Sequence, residues 1–267
     1  LKQLIFLWLW LFSTLCFGAD YTFAFVPQQS ANKLAKNWQP ILDYVNSRTG
    51  DTYTFKTAKD IPTFEQQVAQ QGYDVAYMNP YHFVVFNQRS GYQAIAKQKD
   101  KKIQGIIVVK KDSEITALAQ LQGETLAFPA PAAFAASILP RGELAKQGIA
   151  FTPRYVSSHD SVYLNVARGF VKAGGGVMRT FNNADPAVKS QLAILWTTQG
   201  YTPHAFAVKQ TMPADARARL VDALTSLDQS EAGRVLLKTV NFTAITPASN
   251  EEWQDVKALQ LETLVGQ

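Results

Sequence analysis

Two short apolar runs, Phe23-Ala24-Phe25 and Leu126-Ala127-Phe128, each run into a proline turn and then into a helix-forming stretch. The first turn contains Pro27; the second is Pro129-Ala130-Pro131. Proline removes a backbone donor and fixes φ, so neither strand can continue through its turn. Ala132 to Leu139 then predicts the start of a helix, with Ser137 its only polar side chain. Strand, sharp turn and helix is the unit from which α/β layers are built, and its recurrence predicts two similar lobes. The turn also sets free N–H groups and a helix dipole at one point, an arrangement suited to oxyanions.

The rest of the chain keeps the alternation. Strands are predicted over Tyr21–Val26, Tyr53–Thr57, Asp74–Met78, Ile103–Val109, Leu192–Trp196 and Ala205–Val208, with a strand tip at Tyr155–Ser157. Trp38, Ile41, Leu42 and Val45 recur at helical spacing before Gly50, and Pro62 opens a helix through Phe64 and Val68. Pro80 opens another, and Val162 and Val166 lie on one that Gly169 stops. Three helices close the chain; the last starts with Ser249 and Glu252 at capping-box spacing. Gly174-Gly175-Gly176 reads as a flexible tight turn and lacks the spacing of a nucleotide-binding fingerprint. The fold class is α/β, with largely parallel sheets and crossings between lobes near 108–112 and 197–204.

At 267 residues the chain is long enough for two lobes, and 47% hydrophobic content supplies their cores. Lys2, the apolar run Leu4–Phe12 and small residues near Gly18-Ala19 predict a cleaved signal peptide over 1–19, too short for a membrane anchor. Cys16, the single cysteine, lies inside it; a lipid anchor there is the alternative to plain cleavage. A secreted chain with no mature cysteine suits a bacterial periplasm. The net charge of +5 is scattered, and the densest run, Lys97, Lys99, Lys101, Lys102, Lys110 and Lys111, reads as a solvated turn, with no motif for nucleic acid. No His/Cys/Asp/Glu cluster has metal-ligand spacing, no cofactor fingerprint is present, and no nucleophile–base pair stands out, so an enzyme is not expected.

Ligand sites in α/β sheets lie beyond the carboxyl ends of strands. The segments there hold Gln28; Tyr77, Asn79 and Tyr81; Ala133, Phe134 and Ala135; His159; Arg179; and Thr198. His159 opens a helix after a strand and is the foremost candidate for ligand contact; as the bland alternative, Ser158 and Asp160 cap that helix and His159 only packs. Arg179 attracts anions or faces solvent. His82 and His204 read as structural.

Several short segments, in this order, resemble the periplasmic substrate-binding proteins of phosphate/phosphonate ABC transporters: Trp38-Gln39-Pro40 with Gly50; Asp74-Val75-Ala76 with Pro80 and Tyr81; Ala127-Phe128 with Pro131 and Pro140; Ser158-His159-Asp160; Ala173-Gly174; and Thr197-Thr198 with Tyr201 and Pro203. The resemblance implies a two-lobed, type II-like binding-protein fold. Each lobe is a mostly parallel sheet flanked by helices, and two crossing hinge strands join them. Lobe 1 would comprise 20–108 and 203–267, and lobe 2 would comprise 109–202. It further implies a monomer that captures a small-molecule ligand for an inner-membrane permease, with His159 on the phosphonate. A periplasmic sensor subunit of the same fold is the competing expectation.

The chain departs from that pattern in its anion loop. Where the family carries Ser-Thr-Ser-Gly, this chain has Ala133, Phe134, Ala135 and Ala136. Three hydroxyl donors are gone, each worth about 1–3 kcal/mol to a buried oxyanion left unsatisfied, and the Phe134 ring is large enough to fill the vacated volume. Lys172 stands where the family has Asp, and Arg179 lies where relatives place an acid for an ammonium group. The expected ligand is an altered anion or polar solute, with weak binding of aminoethylphosphonate.

Overall fold

The computed structural model describes residues 18–259, so the expected leader core and Cys16 lie outside the described residues. The chain opens with β1 (Asp20–Phe25), α1 (Ala31–Thr49) and β2 (Thr52–Lys56). Helix α1 starts where Ser30 Oγ accepts from the Lys33 N–H. It ends at Gly50, whose φ of 74° is open to glycine and strained for other residues. Its apolar face is the predicted Trp38, Ile41, Leu42 and Val45, joined by Leu34. Next come α2 (Ile61–Ala69), β3 (Val75–Met78), α3 (Pro80–Ser90) and β4 (Gln93–Gln98).

The chain then builds a second sheet from β5 (Gly105–Lys110), β6 (Thr125–Phe128), β7 (Thr152–Tyr155), β8 (Ala173–Val177) and β9 (Leu192–Thr197). Helices α4 (Leu139–Lys146), α5 (His159–Ala167), α6 (Met178–Asn182) and α7 (Pro186–Lys189) lie between these strands in sequence. The chain returns through β10 (Ala205–Val208), α8 (Ala214–Thr225), α9 (Glu231–Thr239), β11 (Ile245–Pro247) and α10 (Gln254–Lys257). The first sheet is ordered β11-β4-β10-β3-β1-β2 and the second β7-β6-β8-β5-β9.

Two sheets with helices between their strands make the expected two-lobed α/β architecture, but the sheets are mixed rather than largely parallel. β1 runs parallel to β2 and β3, and β6 parallel to β7 and β8. The strands that enter a sheet directly from the other lobe, β5 and β10, run antiparallel to both neighbours. Short direct crossings reverse the chain, whereas a parallel pair needs a helical return. The first crossing also differs from the expected 108–112: β5 lies wholly in the second sheet, so the chain passes over at 99–104. The two crossing segments pair there, the Ile103 N–H donating to the Tyr201 carbonyl at 2.7 Å and the Tyr201 N–H to the Ile103 carbonyl at 3.0 Å.

The glycine run is not a turn. Gly174, Gly175 and Gly176 are the buried middle of β8, at the centre of the second sheet. A Cβ on Gly175 would overlap the Ala136 carbonyl oxygen and lie 2.7 Å from the Phe128 ring; one on Gly176 would lie 2.5 Å from the Tyr163 hydroxyl. Bare backbone lets α5 and the 134–138 turn pack directly on the sheet.

Apolar clusters cover both faces of the second sheet and the α1/α8 face of the first. A further cluster spans the lobes: Val26, Ile61, Met78 and Phe83 of the first with Ala133, Phe134, Ala135 and Ile138 of the second, and Tyr201 of the crossing.

Candidate functional site

The turn after β6 carries the expected helix start, but residues 134–138 form one wide π-type turn before α4. The Ser137 and Ile138 N–H groups both donate to the Ala133 carbonyl, at 2.7 and 3.2 Å. Phe134 opens this turn and faces inward. Its side chain is 1% exposed and its ring stands edge-on to Tyr201, centroids 5.5 Å apart. The space left between the lobes here, lined among others by Gln28, Asn79, Phe134, His159 and His204, is ≈ 10 Å³. That is room for one water at most.

Polar contacts also tie the lobes together. Asn79 caps α3 by accepting from the His82 N–H at 2.8 Å, and its Nδ2 donates across to the Ala132 carbonyl at 3.3 Å. The Gln28 carbonyl accepts from the His159 N–H at 3.0 Å, and Gln28 Oε1 accepts from Arg179 Nη2 at 2.8 Å. Lys33 Nζ donates to the Asn183 carbonyl at 2.7 Å.

His159 is fully buried at the start of α5, behind the N-cap Ser158. Its Nδ1 is 2.9 Å from Thr180 Oγ1, which in turn meets the Tyr163 hydroxyl at 2.8 Å. Its Nε2 has no hydrogen-bond partner among the described residues. Burial, reinforced by the Arg179 charge, lowers its pKa from the ordinary 6.5 to about 3. His204 stacks on Tyr77 at 5.0 Å, and burial first, then Arg179, lowers its pKa well below the ordinary value. Both imidazoles are therefore neutral and bring no positive charge to an anion.

Beside this closed space lies a cleft of ≈ 480 Å³, lined by Tyr77, His204 and Arg179, by Lys101 and Lys102 of the crossing, and by amides including Gln98, Gln104, Asn182 and Asn183. No carboxylate among the described residues lines it. Arg179 is half-buried, 6.0 Å above the Phe242 ring, and has no acidic partner among the described residues. Lys102 shares Asp255 at 3.5 Å.

Of the ten expected residues, Gln28, Asn79, Ala133, Phe134, Ala135 and His159 meet around the closed space, and Tyr77 and Arg179 line the cleft. Tyr81 packs partly buried against the interlobe cluster. Thr198 serves the crossing: its hydroxyl accepts from the Gly105 N–H at 3.0 Å and donates to the Gln199 carbonyl at 2.6 Å. Lys101, Lys102, Asn182 and Asn183 were not anticipated, and His204, read as structural, lines both spaces. The lysine run was the available signal, but with no motif beside it the run was read as a solvated turn. No group of three or more His, Cys, Asp or Glu side chains among the described residues is arranged to hold a metal ion.

Comparison with known proteins agrees with this architecture. The family described as ABC transporter, phosphonate, periplasmic substrate-binding protein matches residues 23–253. The phosphate-import protein PhnD of Mycolicibacterium smegmatis is 20% identical over 238 residues, covering 81% of this chain and 73% of the relative. The binding component of a phosphonate ABC transporter from Pseudomonas aeruginosa superposes with a TM-score of 0.84 at 16% identity, covering 93% of this chain and 87% of that one. PhnD1 of Prochlorococcus marinus, solved with methylphosphonate, gives 0.84 at 15% identity, covering 91% and 98%. With its family's profile matched from the first strand to Trp253, the chain belongs to the periplasmic substrate-binding proteins of phosphonate ABC transporters, which serve importers and are not enzymes.

Proposed function

We propose that the protein is a monomeric solute-binding subunit of an ABC importer, released outside the cytoplasmic membrane by cleavage of its leader, and that its ligand is an anion other than a free small phosphonate. The observation that carries this reading is Phe134. Its ring occupies the loop where the family has a hydroxyl residue, and ≈ 10 Å³ remains beside it. PhnD1 of Prochlorococcus marinus was solved with methylphosphonate; here a ligand of that size would have to displace buried aromatic carbon. The neutral His159 and the uncompensated Arg179 support a shift of anion recognition toward the cleft. Calorimetric titration with methylphosphonate, aminoethylphosphonate and phosphate tests the reading. Heats no larger than dilution are expected for the two phosphonates, tight binding of either overturns the reading, and tight binding of phosphate alone would make phosphate the altered ligand.

The interlobe hydrogen bonds of Gln28, Asn79 and Lys33 favour a second reading, a sensor subunit whose closed lobes contact a membrane receptor. Stimulation of a reconstituted cognate permease's ATPase by the protein supports import; binding to a receptor ectodomain without such stimulation supports sensing.

A further inference from the structure

We propose that the ≈ 480 Å³ cleft is a site for a phosphomonoester with a hydroxyl-bearing body, of sugar-phosphate size, its phosphate held by Arg179 and Lys101. This rests on the reading of the chain as a solute-binding protein with an altered ligand. Size is the first argument. The cleft falls within the few hundred Å³ typical of small-molecule sites, far more than a one-carbon phosphonate fills.

Charge is the second. Arg179, Lys101 and Lys102 line the cleft, and among the described residues no carboxylate does. Lys102 is shared with Asp255, which leaves Arg179 and Lys101 without an acidic partner among the described residues. Two uncompensated cations match a phosphomonoester dianion better than a single carboxylate. Preorganisation is the third argument. Gln28 Oε1 fixes one Arg179 nitrogen and the Phe242 ring lies beneath, so the remaining N–H groups of the fork are held for a tetrahedral anion. The amides of Asn182 and Gln104 on the same walls supply donors and acceptors for hydroxyls.

Isothermal titration of the mature protein with ribose 5-phosphate, glucose 6-phosphate and glycerol 3-phosphate, against gluconate and methylphosphonate, tests this. At least one phosphate ester is expected to bind in the micromolar range, with gluconate about 10- to 100-fold weaker, the difference made by charge-assisted bonds. Arg179→Gln should cost about 10- to 100-fold and Lys101→Ala less, while Lys111→Gln, an exposed lysine outside the cleft, leaves affinity unchanged; melting curves confirm that each variant is folded. Absence of binding by all three esters, or unchanged affinity in Arg179→Gln, overturns the proposal. Gluconate binding as tightly as the esters overturns the phosphate assignment and leaves the altered-ligand reading standing, whereas tight methylphosphonate binding defeats both.

Discussion

Arg179 Nη2 donates to Gln28 Oε1 at 2.8 Å across 151 positions of sequence, joining α6 of the second lobe to the turn after β1 of the first. The same glutamine accepts the His159 N–H on its own carbonyl, so one residue of lobe 1 engages two helix starts of lobe 2. The lobes are thus held together by groups that also shape the candidate site. Any ligand that draws on Arg179 acts on the contact that sets closure.

Replacing that glutamine should loosen closure without unfolding either lobe. Gln28→Ala deletes the side-chain bond and keeps the backbone acceptor. A hydrogen bond to a charged group is worth about 1.5–3 kcal/mol, and the half-exposed guanidinium places this one at the lower end. Spin labels on the two lobes should show a new, longer distance population in Gln28→Ala, with the melting temperature changed by only a few degrees. An unaltered distance distribution would show that apolar packing alone sets closure.

The anion loop gives a gain-of-function prediction. Ala133→Ser, Phe134→Thr and Ala135→Ser together restore three hydroxyls and remove the ring that fills the interlobe space. Emptying a buried phenylalanine site costs about 3–5 kcal/mol, so the triple variant should melt earlier than the parent. It should acquire methylphosphonate binding, seen as a ligand-dependent rise in its melting temperature. A folded triple variant indifferent to methylphosphonate would sink the idea that Phe134 is what excludes it.

Gly175 offers a direct test of close packing on β8. A Cβ there overlaps the Ala136 backbone oxygen and lies within 2.9 Å of two Phe128 ring carbons. Backbone cannot swing aside as a flexible side chain does, so Gly175→Ala should destabilise by at least the 1–3 kcal/mol typical of overpacking. Gly123→Ala, where the added atom meets nothing within 4 Å but φ is +76°, should cost about 1 kcal/mol. Urea midpoints of the two variants should therefore fall in that order.

Those glycines also show what the sequence could and could not convey. Amphipathic spacing around Trp38, the Pro80 helix start and the capping residue Ser158 made α1, α3 and α5 legible, because each rests on local chemistry. β8 was not legible: Gly174 to Gly176 has no β-propensity and is a strand through its long-range pairing with β5 and β6. The inward Phe134 was anticipated from loop composition, whereas the cationic cleft was not. Lys101 and Arg179 line one cleft only once the crossing is placed at 99–104, a long-range fact that no local pattern carries.

Burial of His159 should make stability fall in acid. Its pKa is about 3 in the folded protein against 6.5 ordinarily, lowered first by desolvation and then by Arg179. Above pH 6.5 the imidazole is neutral whether the chain is folded or unfolded, and its contribution is fully present. Between 6.5 and about 3 the unfolded chain takes up a proton that the native state refuses. Stability therefore drops as pH falls through this window, by about 1.4 kcal/mol per unit at the limit. His204, also lowered chiefly by burial, adds in the same direction. His159→Gln cannot protonate, so between pH 7.5 and 4.5 it should lose about 2–3 kcal/mol less than the wild type, with His204 supplying the remaining slope. Urea unfolding of both proteins at several pH values gives the difference, in which carboxylate titrations common to both cancel. Parallel curves for the two proteins would mean that the native His159 takes up its proton as readily as the unfolded chain, and that the site between the lobes is wetter than its packing shows.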